Sequence, residues 1–339
     1  MSPDADRLEC SYGENAWQAP AALVHASTDD PLALGRFELL EGAPLSYNNL
    51  AEVDRQLQTM THVAAALDHA GIAGQAVAVG SKHGNACGVG LAADPLAAIQ
   101  RMLTGDARAI FGGCVMLDVD VDGEAAQTLL HHESPTRRLL DVITAAAFTD
   151  DALELLARRH GKCRLLANPA LRDLDRRCLD DRPRTRYVRG GHLEQPNYTF
   201  VLDLSDPAVE MTGALTDAQA RDLLLAWAVG ATSNSNTVTL VRDGQLLGNG
   251  VGQQDRVGGC ALAIHRATEA GHATAGCVAY SDSFFPFPDG PQLLIDAGVA
   301  AVFCTSGSVR DGLVRDTFAA AGVTLVQLPD AAARGFYGH

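Results

Sequence analysis

Two side chains just past one short apolar run have the chemistry to move a proton. Lys82 and His83 open the stretch Lys82-His83-Gly84-Asn85-Ala86-Cys87-Gly88, which follows Gln75-Ala76-Val77-Ala78-Val79-Gly80. The run reads as a short buried strand. A strand that ends in a base, a cation and glycines presents chemistry at a sheet edge. Imidazole exchanges protons near neutrality, and the glycines let the backbone turn sharply and approach a ligand. A solvated lysine beside a hydrogen-bonded loop histidine has the same sequence, so the pair takes its meaning from its surroundings.

Other chemistry-bearing patterns are weaker. Gly248-Asn249-Gly250-Val251-Gly252 has the look of a dinucleotide fingerprint, but it lies on the far side of a hairpin. No acidic residue follows a second strand at the required distance. It reads instead as a backbone loop shaped for close ligand approach. The eight cysteines include no C-x-x-C pair, so the spacing of a zinc or thioredoxin-like site is missing.

The elements that must position these residues follow from periodicity and caps. The paired Asn48-Asn49 suit a turn before a helix, and Val53, Leu57, Met60, Ala64 and Leu67 keep helical spacing over residues 51–70. Asp94-Pro95 starts a second helix, continued by Leu96, Ile99 and Leu103, because Asp caps free N–H groups and Pro suits the first helical position. A glycine-ended loop, Asp106 to Gly113, leads into a strand at Cys114-Val115-Met116-Leu117. Helices are expected over 125–133 and 149–159, with a strand near 139–144 between them. The Asp- and Arg-rich stretch 171–186 reads as a solvated connection and a subdomain boundary, followed by a glycine loop, Gly190-Gly191-His192-Leu193-Glu194-Gln195. Thr216-Asp217-Ala218-Gln219 matches a capping box for a helix to about Val229. Thr237-Val238-Thr239-Leu240-Val241 alternates as a strand, and Arg242-Asp243-Gly244-Gln245 is a hairpin turn. Strands at 277–280, 299–303 and 323–327 then alternate with helices at 293–297 and 309–321. The fold class is α/β with three-layer packing, and no sequence repeat is visible.

The chain has 339 residues, 47% hydrophobic and 20% charged, with a formal net charge of -15. That is enough chain for one large or two medium domains. The acidic balance argues against nonspecific binding to nucleic acid or anionic lipid, while leaving room for a local basic pocket. No apolar run approaches a membrane span, and Met-Ser-Pro-Asp-Ala-Asp lacks the basic and apolar regions of a signal peptide. Residues 1–8 read as a loose tail, and the protein as reduced and cytoplasmic.

Several of these stretches occur in one order in a known family. Tyr12-Gly13-Glu14-Asn15, Leu45-Ser46-Tyr47-Asn48-Asn49, Lys82-His83-x-Asn85-x-Cys87-Gly88 and Phe111-Gly112-Gly113 come first. Ser235-Asn236, Gly250-x-Gly252-Gln253-Gln254-x-Arg256, the run Ser281-Asp282-x-Phe284-Phe285-Pro286-Phe287-Pro288-Asp289-Gly290, Gly307-Ser308-Val309-Arg310-Asp311 and Arg334-Gly335-Phe336 follow. Over nearly its whole length the chain resembles the transformylase domain of the bifunctional AICAR transformylase/IMP cyclohydrolase family. The cyclohydrolase domain that precedes it there has no counterpart in these residues, so ring closure is not expected of this chain.

The resemblance implies two cytidine-deaminase-like three-layer α/β/α subdomains, 1–180 and 181–339, without catalytic zinc, in an intertwined homodimer with sites at the interface. It implies transfer of a formyl group from 10-formyltetrahydrofolate, the co-substrate, to the amine of an aminoimidazole carboxamide ribotide. By that resemblance His83 moves the proton, Lys82 steadies developing charge and Asn236 bonds the formyl centre. Tyr12, Asn48, Asn49, Arg256 and Arg334 would face the acceptor, Arg334 at its phosphate. Phe111, Gly112, Asp282, Phe284, Phe285, Pro286 and Phe287 would face the folate. A structural salt bridge is the plainer role for Arg256, and core packing for at least one Phe.

The departures fall on the acceptor side. The family's arginine before Tyr-Gly is Ser11, its Asn-Pro-His-Gln is Asn15-Ala16-Trp17-Gln18, its serine before Ala-Phe-Gly is Ala109 followed by Ile110, and lysines ahead of Ser-Asn are Ala228, Ala231 and Asn234. These changes leave three readings open: the purine ribotide as acceptor, a different amine in a specialised pathway, or a non-catalytic folate-binding homologue.

Overall fold

The computed structural model describes residues 7–26 and 28–339. The expected tail over residues 1–8 lies outside the described residues up to residue 6. Beyond it, Arg7–Cys10 is a strand paired antiparallel with Ala21–Val24. The main sheet has twelve strands: β1 Glu38–Glu41, β2 Ala76–Lys82, β3 Asn85–Ala92, β4 Cys114–Leu117, β5 Val142–Ala145, β6 Arg164–Ala167, β7 Glu210–Thr212, β8 Val238–Arg242, β9 Gln245–Gly250, β10 Val278–Ser281, β11 Ala301–Ser306 and β12 Thr324–Pro329. The helices that cover it are α1 Tyr47–His69, α2 Pro95–Gly105, α3 Gly123–His131, α4 Asp150–Leu156, α5 Asp217–Ala231, α6 Arg256–Glu269, α7 Asp289–Asp296 and α8 Asp311–Ala320. No helix of the described residues is long and apolar enough to cross a membrane.

The sheet order is β7-β12-β11-β10-β8-β9-β3-β2-β4-β5-β6-β1. Read outward from the centre, both halves run hairpin, three parallel strands, antiparallel edge strand. The element order is the same twice, strand, helix, hairpin, then helix and strand in alternation. No sequence repeat announces this. The expected boundary near 180 falls between the last sheet strand of the first half and the first of the second. The halves share one continuous sheet, joined where Gln245 of β9 faces Gly90 of antiparallel β3, with Leu91 N–H donating to Gly244 C=O at 2.8 Å. That antiparallel seam sends equivalent features of the two halves to opposite ends of the sheet.

Three cores follow from the pleat, since alternate side chains leave a strand on opposite faces. Val77 and Val79 join α1 and α5 in one core that spans both halves, whereas Ala76 and Ala78 face α2 and α3. Val238 and Leu240 face α6. Both long helices begin with a capping box, Ser46 with Asn49 for α1 and Thr216 with Gln219 for α5. Of the stripe expected on α1, Val53, Leu57, Met60 and Leu67 are buried.

Two expectations need correction. Gly248 and Gly250 lie in a strand rather than a loop, in β9 directly beneath α6, where a Cβ would collide with the carbonyls of Ala263 and Gly259, although Gly248, Asn249 and Val251 do line the cleft of Lys82 and His83. Gly88 and Gly90 do the same under α2, against Met102 and Ala98. Gly190-Gly191 is the turn of an exposed two-stranded hairpin, Arg184–Val188 with Gly191–Gln195. The stretch before it forms short 3-10 turns tied by surface ion pairs such as Arg172–Asp120 and Arg182–Asp180.

Candidate active site

The hairpin joining β2 to β3 turns on two residues, His83 at φ 55° and Gly84 at φ 72°. Two consecutive positive φ values define the two-residue turn whose twist matches paired strands, a place that favours Asn, Asp or Gly. A histidine there is uncommon, and the turn leaves its side chain exposed. Lys82, half-buried at the end of β2, donates from Nζ to the Phe111 carbonyl at 2.7 Å. Phe111 itself is 56% exposed, and Gly112 beside it, at φ 68°, donates its N–H to Leu139 C=O at 2.7 Å.

The turn is held from α1. Glu52 accepts from Ser81 Oγ at 2.8 Å through Oε2 and from Gly84 N–H at 2.8 Å through Oε1. Arg55, one turn further on, donates from Nε to Gly84 C=O at 2.8 Å. Its Nη2 donates to Thr232 C=O at 2.8 Å and Asn234 Oδ1 at 3.1 Å. The second half meets the first here, since Asn234 N–H donates to Asn85 Oδ1 at 3.1 Å and Asn249 Nδ2 to Ala86 C=O at 3.1 Å. Sequence reading passed over both Glu52 and Arg55. A signal was present: Glu52 lies six residues after its N-cap Ser46, as Asp222 lies six after Thr216.

Asn236 follows a cis Ser235–Asn236 peptide and is locked to the Gln253 loop. Its N–H and Nδ2 donate to Gln253 C=O at 3.1 and 2.8 Å, and its own C=O accepts from Gln253 N–H at 3.2 Å. Arg256 and Asp282 lie beneath it. They form an ion pair with side chains 8% and 0% exposed; Arg256 Nη1 also donates to Thr237 C=O at 3.2 Å, and Ser235 Oγ donates to Asp282 at 2.7 Å. The pair fixes Ser235–Asn236 from below, which is the structural salt bridge weighed for Arg256. Leaving either charge alone in so dry a place would be strongly destabilising.

The aromatic segment divides by face. Phe285 is 1% exposed and meets Phe318 edge-on in the core at 6.1 Å. Phe284 is half-buried, Pro286 exposed and Phe287 49% exposed, with the Arg310 guanidinium 4.1 Å over the Phe287 ring. Arg334 pairs with Asp330 at 2.6 Å and stands 5.9 Å over Phe284. At the start of α1, Tyr12 C=O accepts from Tyr47 N–H at 3.0 Å, and Asn48 Nδ2 donates to Glu14 C=O at 3.0 Å. The Asn49 amide is committed to the cap of α1, accepting from Ser46 N–H at 3.0 Å.

Two clefts open here. One of about 240 Å³ is lined by Lys82, His83, Cys87, Asp106 and Arg266 among others. Burial pushes the Cys87 thiol up to about 12, so the wall of that cleft offers no thiolate to compete as a nucleophile. The other, about 540 Å³, holds Asn236, Arg256, Phe284, Pro286 and Arg334. Lys82 and His83 thus line one cleft and Asn236 the other, bridged through Asn85, Asn234 and Arg55. Tyr12, Asn48, Phe111 and Gly112 line neither.

Across residues 4–266 the chain matches the model of the AICARFT/IMPCHase bienzyme family. The chain belongs to that family. Its relatives include the bifunctional purine biosynthesis protein PurH of a Synechococcus species, 35% identical over 307 residues that cover 90% of this chain and 54% of that protein. The PurH of Cutibacterium acnes is 35% identical over 319 residues, 93% of this chain and 56% of that protein, and that of Neisseria meningitidis serogroup A is 31% identical over 315 residues, with the same two shares. The chain spans about half the length of the curated AICARFT/IMPCHase relatives it matches. A Thermotoga maritima deaminase/reductase structure aligns over 28% of this chain and 29% of its own at 17% identity, with a TM-score of 0.22, too slight a likeness to carry an argument.

Proposed function

We propose that this chain transfers a formyl group from 10-formyltetrahydrofolate to the amine of AICAR or a closely related aminoimidazole-carboxamide-like acceptor. The observation that carries this reading is the display of Lys82 and His83 side by side, at the end of β2 and on the two-residue turn that follows it, with Asn236 tied to the same end of the sheet. In the transfer the amine nitrogen bonds the formyl carbon as the bond to N10 breaks. The amine proton passes to His83, whose ring is open to the cleft, and the imidazolium so formed returns it to N10 as the carrier leaves. Lys82, oriented by the Phe111 carbonyl, supplies positive charge where the formyl oxygen becomes negative, and Asn236 adds a neutral hydrogen bond. The aminoimidazole amine is a weak nucleophile, so holding the partners in place matters as much as proton transfer.

The roomier cleft suits a pterin and its benzoyl extension, because Phe284 and Pro286 offer an apolar wall. Asp282 and Phe285 support that wall from below, while Tyr12, Asn48 and Arg334 serve the acceptor side. We read each half as a cytidine-deaminase-like unit, divided near residue 180, and the site as completed in an intertwined homodimer. Two observations support the dimer: the catalytic residues divide between two clefts in one chain, and the hairpin at 184–195, tied to the body through Arg184 and Tyr337, leaves Tyr187 83% and Leu193 60% exposed. A second reading, a different and possibly unphosphorylated amine as acceptor, is favoured by Ser11 at the position of the family's phosphate arginine and by Trp17, 79% exposed on the loop beside it.

A formyl-transfer assay with 10-formyltetrahydrofolate and a panel of amines separates the readings. Turnover with AICAR supports the first. Turnover only with a dephosphorylated or different amine supports the second. Folate binding without turnover on any amine would leave a non-catalytic folate-binding homologue in place of both.

A further inference from the structure

We infer that Arg55 is a positioning residue that registers the Lys82–His83 turn of the first half against the Asn234–Asn236 segment of the second. The inference rests on the formyl-transfer reading and names a part that the reading does not contain. Three observations lead to it. Both backbone polar groups of Gly84, the second residue of the turn, are taken by α1: Glu52 accepts from its N–H and Arg55 donates to its C=O, each at 2.8 Å. The same guanidinium then reaches across the seam to Thr232 C=O at 2.8 Å and Asn234 Oδ1 at 3.1 Å. Its flat face rests 3.9 Å from the Tyr337 ring. Tyr337 N–H in turn donates to Ser233 C=O at 3.0 Å, and Ser235 N–H to Gly338 C=O at 3.0 Å. One planar fork therefore binds the proton-moving turn, the segment that delivers Asn236 and the C-terminal tail, a geometry a lysine point charge does not reproduce.

The duplicated fold shows that this arginine is not a requirement of the turn. The hairpin between β8 and β9 has the same backbone, with Asp243 at φ 53° and Gly244 at φ 72°. There Asp222 accepts from Asp243 and Gly244 N–H at 2.7 and 2.8 Å. Glu52 therefore has a counterpart, but the position equivalent to Arg55, nine residues after the N-cap Thr216, is Leu225, 2% exposed in the core. The Gly244 carbonyl there takes the Leu91 N–H of the seam at 2.8 Å, so that turn is satisfied by a carboxylate and a backbone amide without an arginine. The arginine is added only where Lys82 and His83 sit.

The test is Arg55→Leu, the residue that the other half uses, with Arg55→Lys beside it. With an acceptor that the wild type turns over, Arg55→Leu is expected to lower kcat by about 100-fold, the scale of an ångström-sized misplacement, with KM for the folate within about threefold. Arg55→Lys is expected to recover only part of that loss. Hydrogen exchange is read in parallel: the Gly84 and Asn234 amides should exchange at least tenfold faster in Arg55→Leu while amides of β10 and β11 stay protected. Wild-type kcat in Arg55→Leu would overturn the inference, as would a fall in kcat fully restored by lysine. If the wild type turns over no amine, the formyl-transfer reading has failed, and unchanged exchange at Gly84 and Asn234 would then refute the clamp by itself. Should Arg55→Leu not fold, Arg55→Lys with wild-type kcat and exchange would refute it.

Discussion

The two hairpin turns of the sheet, His83-Gly84 and Asp243-Gly244, are built alike and used differently. Each has both central residues at positive φ, a register shift in the strand before it, a carboxylate from the long helix of its half on its amides, and two glycines beneath a helix in the strand after it. At one turn the residues are Lys82 and His83, and they open on a cleft. At the other Arg242 spends its guanidinium on the carbonyls of Ala273 and Ala275, at 2.7 and 2.9 Å, and Asp243 only completes the turn. The fold supplies a rigid two-residue platform twice. In the proposed reading chemistry is loaded onto one of them, and the added parts are Lys82, His83 and Arg55.

That comparison can be broken in several places. The largest expected effect is on turnover: His83→Ala should lower it by roughly 10²–10⁴-fold, the usual worth of a positioned proton-transfer group, with folate binding still measurable by calorimetry. Asp243→Ala at the matching turn should leave turnover unchanged; equal losses in both would remove the distinction. Next in size is stability. Arg256→Ala strands the Asp282 carboxylate and should destabilise the fold by about 3–5 kcal/mol in urea titrations. Arg242→Ala, at an exposed rim, should change stability by less than about 0.5 kcal/mol. A small effect for Arg256→Ala would mean that the pair is not as dry as the fold makes it. Smaller still, Glu52→Ala and Asp222→Ala should each lose about 1–3 kcal/mol, because each leaves turn amides without an acceptor. Of these two only Glu52→Ala should also lower kcat, and a matching kcat loss in Asp222→Ala would contradict the division of labour.

What the sequence disclosed follows the same line. Local signals were legible: the strand ahead of Lys82, the Thr216 capping box, the Arg242–Gln245 turn and the stripe on α1 each depend on residues a few positions apart. The duplication was implied by the family resemblance but not legible in the residues themselves, because it is carried by spacing and backbone geometry. Glu52 and Asp222, or Arg55 and Leu225, occupy equivalent places without sharing identity. The Gly248–Gly250 pair was read as a loop, because glycine that admits a helix over a strand and glycine that frees a loop look the same in one dimension. Arg256 and Asp282 face each other across 26 positions of sequence, and nothing local marks that pair as buried. Phe284, Phe285 and Phe287 are alike as letters, and only the packing of Phe318 against Phe285 tells the core ring from the two that remain accessible.

The most direct test gives the first turn the residues of the second. The double variant Lys82→Arg, His83→Asp keeps a basic residue at the strand end and installs an Asp-Gly turn that suits the backbone at least as well as His-Gly. Formyl transfer by this variant and by wild type should be compared under single-turnover conditions, with thermal unfolding recorded alongside. The account predicts a melting temperature at or slightly above the wild-type value and no transfer above background. Transfer at the wild-type rate by the folded double variant would show that the chemistry does not live on that turn.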